Sequence, residues 1–207
     1  MRAFIAVRPP EELRVRLAEA AAGRVRPPGT GRMGVEGARF VPAENLHLTL
    51  KFLGDVDPAK QPAVEASLLG VARGQRPFRV TLDGAGGFPD VRRPRILWVG
   101  TAEGAGELAA LAAQVQAAMA PLGWAREEKG FRAHITLGRV RRPRPGTDAA
   151  RWAAALAAQE FGSFEVTELV LFESVLRPEG PRYQPLRRFP LTVEGLHPDP
   201  APQKNRP

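Results

Sequence analysis

The sequence predicts a fold that mixes strands and helices in two similar halves, and three observations lead there. Short β-branched or aromatic runs alternate with helical segments along the chain. The order strand, helix, strand, helix, strand occurs twice, once from Phe4 and again from Ile96. The middle strand of each set carries one shared pattern, "HLTL" within "NLHLTLKFLG" (residues 45–54) and "HITL" within "FRAHITLGRV" (131–140). "PFRVTLDGAGGF" and "SFEVTELVLFES" also match, each about thirty residues after its motif, which reads as an internal duplication of roughly 90 residues. The copies cover about 3–88 and 95–176 of a single domain spanning 1–195.

The elements follow in order. "AFIAVR" is a strand ended by Pro9 and Pro10, and Glu11 and Glu12 open a helix to about Ala22, acids in its first turn. The stretch 23–38 is a Gly/Pro/Arg loop, after which "RFV" and "LHLTLKFLG" are strands. Residues 57–73 form a helix with Asp57 as N-cap and Pro58 in the first helical position. A strand over 78–88 should break on its glycines, and 95–101 is a further strand. An amphipathic helix over 103–122 precedes the strand of the second motif, and a helix over 146–160, capped by Thr147 or Asp148, follows it. One long strand covers 163–176, and a last one, 183–193, holds Pro185 and Pro190, as a sheet edge allows. Residues 196–207 read as a disordered tail.

The chain has 207 residues and a formal net charge of +8. Excess Lys and Arg favours polyanion partners; an Arg-rich solvated surface from a GC-biased genome gives the same count. There is no cysteine, which excludes disulfides, thiolate metal sites and a thiol nucleophile. The start "MRAFIAVRPPEEL" lacks the apolar run of a signal peptide, and no stretch reaches the roughly 18 apolar residues of a membrane span. A soluble cytoplasmic protein is expected.

Side chains alternate across a strand, so His47 and Thr49 share one face, and His134 and Thr136 do likewise. Leu48, Leu50, Ile135 and Leu137 face the core. The same parity gives Lys51 to the His47 face unless the strand bulges. Two imidazoles on either side of a substrate suit acid–base chemistry, because a pKa of about 6.5 lets both protonation states exist near neutrality. Threonine hydroxyls donate to anionic oxygens. That set suits phosphodiester transfer or hydrolysis without a metal, since two histidines with no acidic or third imidazole partner make a poor zinc site. A single His-x-Thr strand is more often structural than catalytic; two copies at matching places in a repeat shift the balance. The third histidine, His197, lies in the tail and has no assigned role.

"HLTL" and "HITL", with "RAFIAV", "HLTLKFLG", "GAGGFPDVRRPRILWVG", "HITLGR" and "LVLFESVLRPEGPRY", resemble the two-histidine (2H) phosphoesterases, and within them the RNA 2′,3′-cyclic phosphodiesterases, also called 2′-5′ RNA ligases. The match spans residues 2–183. The resemblance implies an α+β fold of two pseudo-symmetric lobes, antiparallel sheets with helices outside, around a central cleft, with the chain crossing between lobes. It implies hydrolysis of a terminal RNA 2′,3′-cyclic phosphate to a 2′-phosphate, reversible 2′-5′ joining of tRNA halves, and no metal or other cofactor. By position His47 would be the proton donor and His134 the acceptor, with Thr49, Thr136 and Arg139 on the phosphate. Arg139 lies on the wrong face by parity, so a twist or bulge at Gly138 is required. Lys51, Arg177 and Tyr183 are weaker cleft candidates. Ala133 stands where many relatives carry proline.

Two other readings stay open. One is a 2H enzyme acting on a small cyclic nucleotide or ADP-ribose cyclic phosphate; the other is a non-catalytic RNA-binding protein on the same scaffold. The charge and the Arg-rich stretch 23–39 favour a polymer, and the four intact motif residues argue for catalysis. A monomer is expected, because the pseudo-dimer lies within one chain.

Overall fold

The computed structural model describes residues 1–23, 35–127, 130–141, 148–178 and 180–192. The first strand is β1 (Arg2–Val7), and Pro10 leads into α1 (Glu11–Ala21). A short strand, β2 (Ala38–Phe40), is followed by a 3-10 turn at Ala43–Asn45 and by β3 (Leu48–Asp55). Asp57 does cap the next segment, its Oδ1 accepting from Ala59 N at 3.0 Å, yet that turn is 3-10 and α2 proper is Gln61–Arg73. The glycines do not break β4 (Phe78–Phe88): Gly84, at φ +67°, forms a bulge and pairing continues past it. Then come β5 (Ile96–Thr101), α3 (Ala105–Met119) with a 3-10 turn after it, β6 (His134–Val140) and α4 (Ala149–Ala157). The expected long strand over 163–176 is two strands, β7 (Ser163–Val166) and β8 (Glu168–Arg177), and β9 (Gly180–Pro190) closes the order. The Thr147 cap alternative, most of the Arg-rich loop and the tail lie outside the described residues.

Strand order explains why β7 and β8 part at Thr167. The antiparallel sheet runs β7-β4-β5-β6-β3-β1-β8-β9, with β2 beside β6. The order is a palindrome under exchange of the sequence copies: β6-β5-β4 mirrors β3-β1-β8. The third strand of each copy therefore pairs in the other's half, β4 with β5 and β8 with β1. β7 and β8 serve opposite ends of the sheet, which one continuous strand cannot do. β9 is an edge strand, with Pro185 at an irregularity in its register. The helices cross over too, α1 packing on β6 and α3 on β3.

The two halves meet at one registered pair, Leu48 with Ile135. Both side chains are fully buried on the helix-covered face, as alternation predicts, and the main core continues through Leu50, Leu137, Leu97 and Val99. The other face carries a small separate cluster, Phe4, Ala6, Val170 and Phe172, with Tyr183 against it. No helix among the described residues is long and apolar enough to cross a membrane.

Candidate active site

The seam between β3 and β6 places the motifs. Around the Leu48–Ile135 pair, antiparallel direction sets His47 on the side of Thr136 and Thr49 on the side of His134. Both histidines and both threonines are half-buried on the face away from the helices. Each imidazole is fixed in the same way. His47 Nδ1 lies 2.7 Å from the carbonyl of Asn45, and His134 Nδ1 lies 2.7 Å from that of Arg132, in both cases two residues back. A carbonyl only accepts, so each Nδ1 donates, and in the neutral ring Nε2 keeps its lone pair for chemistry.

Aromatic rings set the walls. The His47 ring sits 4.6 Å from Phe4 and edge-on to Tyr183 at 5.1 Å. His134 sits edge-on to Phe88 at 5.1 Å, and Phe88 stacks on Trp98 at 5.3 Å. Trp98 opposes Thr136 on β6 and Gly86 on β4. A Cβ on Gly86 would come within 2.5 Å of its ring, and one on Gly100 within 3.2 Å. Two glycines thus form the shelf on which the indole lies.

Electrostatics differ between the two imidazoles. Burial chiefly lowers the His47 pKa to about 4; the charges of Arg139, His134 and Arg8 push the same way, and only the bond to Asn45 opposes them. Burial also lowers His134, against the bond to Arg132. Tyr183 is raised by burial, with Arg139 and Arg2 opposing. Among the described residues no group of three or more His, Cys, Asp or Glu side chains could hold a metal ion.

The expected site residues divide. His47, Thr49, His134, Thr136, Arg139 and Tyr183 come together. Arg139 reaches this face because the β5–β6 register slips between Leu97 and Trp98, leaving an extra residue at Leu137 and Gly138. Of the twist or bulge expected at Gly138, the structure has the bulge. Lys51 does not join them. β3 carries an extra residue at Leu50, so Lys51 pairs with the core residue Ile5, is 3 % exposed, and donates from Nζ to Ala125 O at 2.8 Å. Phe52 takes the open face instead and is 61 % exposed. Arg177, itself exposed, ends β8, and no contact among the described residues joins it to either histidine.

Kinship agrees with that geometry. The family model of the 2′-5′ RNA ligase superfamily matches residues 9–176. The chain belongs to that family. An RNA 2′,3′-cyclic phosphodiesterase of Archaeoglobus fulgidus is 38% identical over 91% of this chain and 99% of its own length. The protein of that name from Escherichia coli is 34% identical, covering 92% of this chain and 97% of its own. Among solved structures, TT0787 of Thermus thermophilus superposes with a TM-score of 0.72 at 35% identity, covering 94% of this chain and all of that one. E. coli LigT complexed with 3′-AMP does so at 0.67 and 33% identity, covering 92% and 98%.

In this member of the 2′-5′ RNA ligase superfamily, several residues that hold the site have no motif to announce them. Asn45 is 7 % exposed; its Nδ2 donates to Pro181 O at 2.7 Å, and its Oδ1 accepts from Tyr183 N at 3.4 Å. It thereby joins the turn that fixes His47 to the strand that carries Tyr183. Arg8 donates to Glu44 O and Arg14 Nη1 to Ala43 O, holding the same turn, while Arg14 Nε is itself fixed by Pro9 O. An Asn two residues before a candidate histidine was the available signal. The carbonyl anchors had none, because every residue carries one.

Proposed function

We infer that this protein hydrolyses the 2′,3′-cyclic phosphate at an RNA 3′ end and leaves a 2′-phosphate. What carries the reading is the pair of His-x-Thr strands set side by side on one shared face, each imidazole tied through Nδ1 with no partner at Nε2 among the described residues. The relatives named RNA 2′,3′-cyclic phosphodiesterase, alike over nearly the whole chain, support it. In the proposed reaction His134 takes a proton from water, whose oxygen bonds to phosphorus. The bond from phosphorus to the 3′ oxygen breaks, and His47 protonates that oxygen. Thr49, Thr136 and Arg139 hold the non-bridging oxygens, where charge builds. No metal is needed for these steps. A 5′ hydroxyl in the water's place would give the 2′-5′ linkage between tRNA halves. The protein acts as a monomer in this reading.

One observation favours reversed roles. His47 has the more strongly depressed pKa in the free protein, which suits a base. A bound phosphate anion beside Arg139 offsets that depression, so the acid role for His47 is kept. The test uses an RNA oligomer ending in a 2′,3′-cyclic phosphate with EDTA present. His47→Ala and His134→Ala should each lose on the order of 10²–10⁴-fold in rate. With sulfur replacing the bridging 3′ oxygen the leaving group needs no acid, so His47→Ala should recover and His134→Ala should not. Recovery of His134→Ala alone reverses the roles; wild-type inactivity in EDTA ends the metal-free reading.

A further inference from the structure

β2 and β6 present an arrangement that the chemistry above does not use. Arg39 and Arg139 are direct partners in the β2–β6 register. Both are exposed, and their faces agree: Phe40, next to Arg39, stacks on Trp152 on the helix side, which turns Arg39 to the open face. Like charges directly opposite each other destabilise a sheet. Among the described residues no carboxylate pairs with either one. Two arginines paired in register on one open face, with no carboxylate against either among the described residues, make a place for an anion.

The two arginines are not equivalent. Arg139 belongs to the histidine cleft, where its charge acts on His47 and Tyr183. Arg39 is not among the charges that act on His47, and it reaches the start of β9, where a Cβ on Gly180 would lie 2.8 Å from its Nη2. Gly180 leaves that seat open. Gly180, Arg39, Arg139 and His47 thus form a chain of neighbours, each linked to the next.

We propose that Arg39 binds the phosphodiester on the 5′ side of the terminal nucleotide, so that the site selects an RNA strand over a mononucleotide. The proposal deepens the RNA reading above and rests on it. Arg139 holds the reacting phosphate, Arg39 the one before it, and the polymer's own charge relieves the repulsion between the two guanidinium groups. A small cyclic nucleotide has no such phosphate.

The test measures binding as well as turnover. Probes are a ribotrinucleotide ending in a 2′-phosphate and a nucleoside 2′-phosphate, titrated against wild type, Arg39→Ala and Arg39→Lys. The preference of wild type for the trinucleotide should fall about tenfold in Arg39→Ala, as expected for loss of one exposed charge-assisted bond. Arg39→Lys should keep part of it. The salt slope for the trinucleotide should shrink by about 0.7, one phosphate contact on a single strand. With the corresponding cyclic phosphates, kcat/KM should show the same loss of preference. Equal weakening of both probes would place Arg39 on the reacting phosphate and overturn the proposal, and so would no change in preference. A wild type that prefers the trinucleotide in binding but turns over neither cyclic phosphate would instead refute the catalytic reading alone. Arg39→Ala folds in either case, since it removes an exposed side chain and a repulsion, and its Tm should not fall below wild type.

Discussion

The proton of His47 is governed by three things around one ring: burial against Phe4 and Tyr183, the nearby charges of Arg139, His134 and Arg8, and the Asn45 carbonyl that opposes them. Together they bring its pKa to about 4, below the ordinary 6.5. The unfolded chain takes up this proton as pH falls through about 6.5, while the folded chain does so only near 4. Stability from this site is therefore complete above 6.5 and declines as pH falls toward 4, by up to roughly 3 kcal/mol. His134, lowered by burial, adds to the same trend. Chemical denaturation at pH 7 and pH 5 should show a larger loss in wild type than in His47→Gln, which has nothing to protonate. Inorganic phosphate favours the charged ring, so it should raise Tm more at pH 5 than at pH 7. Identical pH slopes in the two proteins would contradict the account.

Strands are where alternation both revealed and misplaced the site. Period two put His47 with Thr49 and His134 with Thr136 correctly, because each bulge comes only after the threonine. Past each threonine one extra residue flips the parity. At Gly138 the glycine gave warning, and Arg139 was recovered; at Leu50 nothing in the side chains marks the bulge, and Lys51 was lost to the core. Glycines at 84–87 read as a break, yet two of them serve close approach: Gly86 seats Trp98, and Gly87 leaves room for Pro94. Sequence shows that a side chain is missing but not what lies in its place. The Trp98 shelf is testable at this level. Gly86→Ala puts a methyl into the indole and should lift it toward Thr136 and His134. The expected result is a stability loss of about 1–3 kcal/mol, typical of overpacking, together with a rise in KM. Gly106→Ala, in α3 where a Cβ meets nothing within 4 Å, is the control that should leave KM unchanged and cost no stability, adding about 0.4–1 kcal/mol instead.

At the scale of the whole molecule, the sheet's palindromic order ties the halves together more firmly than their single registered pair at the seam does. β4 leaves its own copy to pair with β5, β8 returns to pair with β1, and α1 and α3 cross the opposite way. Each half of the sheet thus contains strands from both copies, and neither copy can bury its apolar face alone. The tryptophans report on both halves: Trp124 donates to Leu53 O on β3, while Trp152 donates to Ala21 O beneath the β4–β6 side. Interlocked halves must lose their packing together, so variants that keep only Trp124 or only Trp152 should unfold in urea with coincident midpoints and slopes. The expected single transition also requires that a fragment ending at residue 94, one full copy, shows no cooperative unfolding, since its β4 would have no β5 and its β1 no β8. Separated midpoints, or a cooperative fragment, would mean that the copies are independent domains and that the exchange of strands contributes little to holding His47 beside His134.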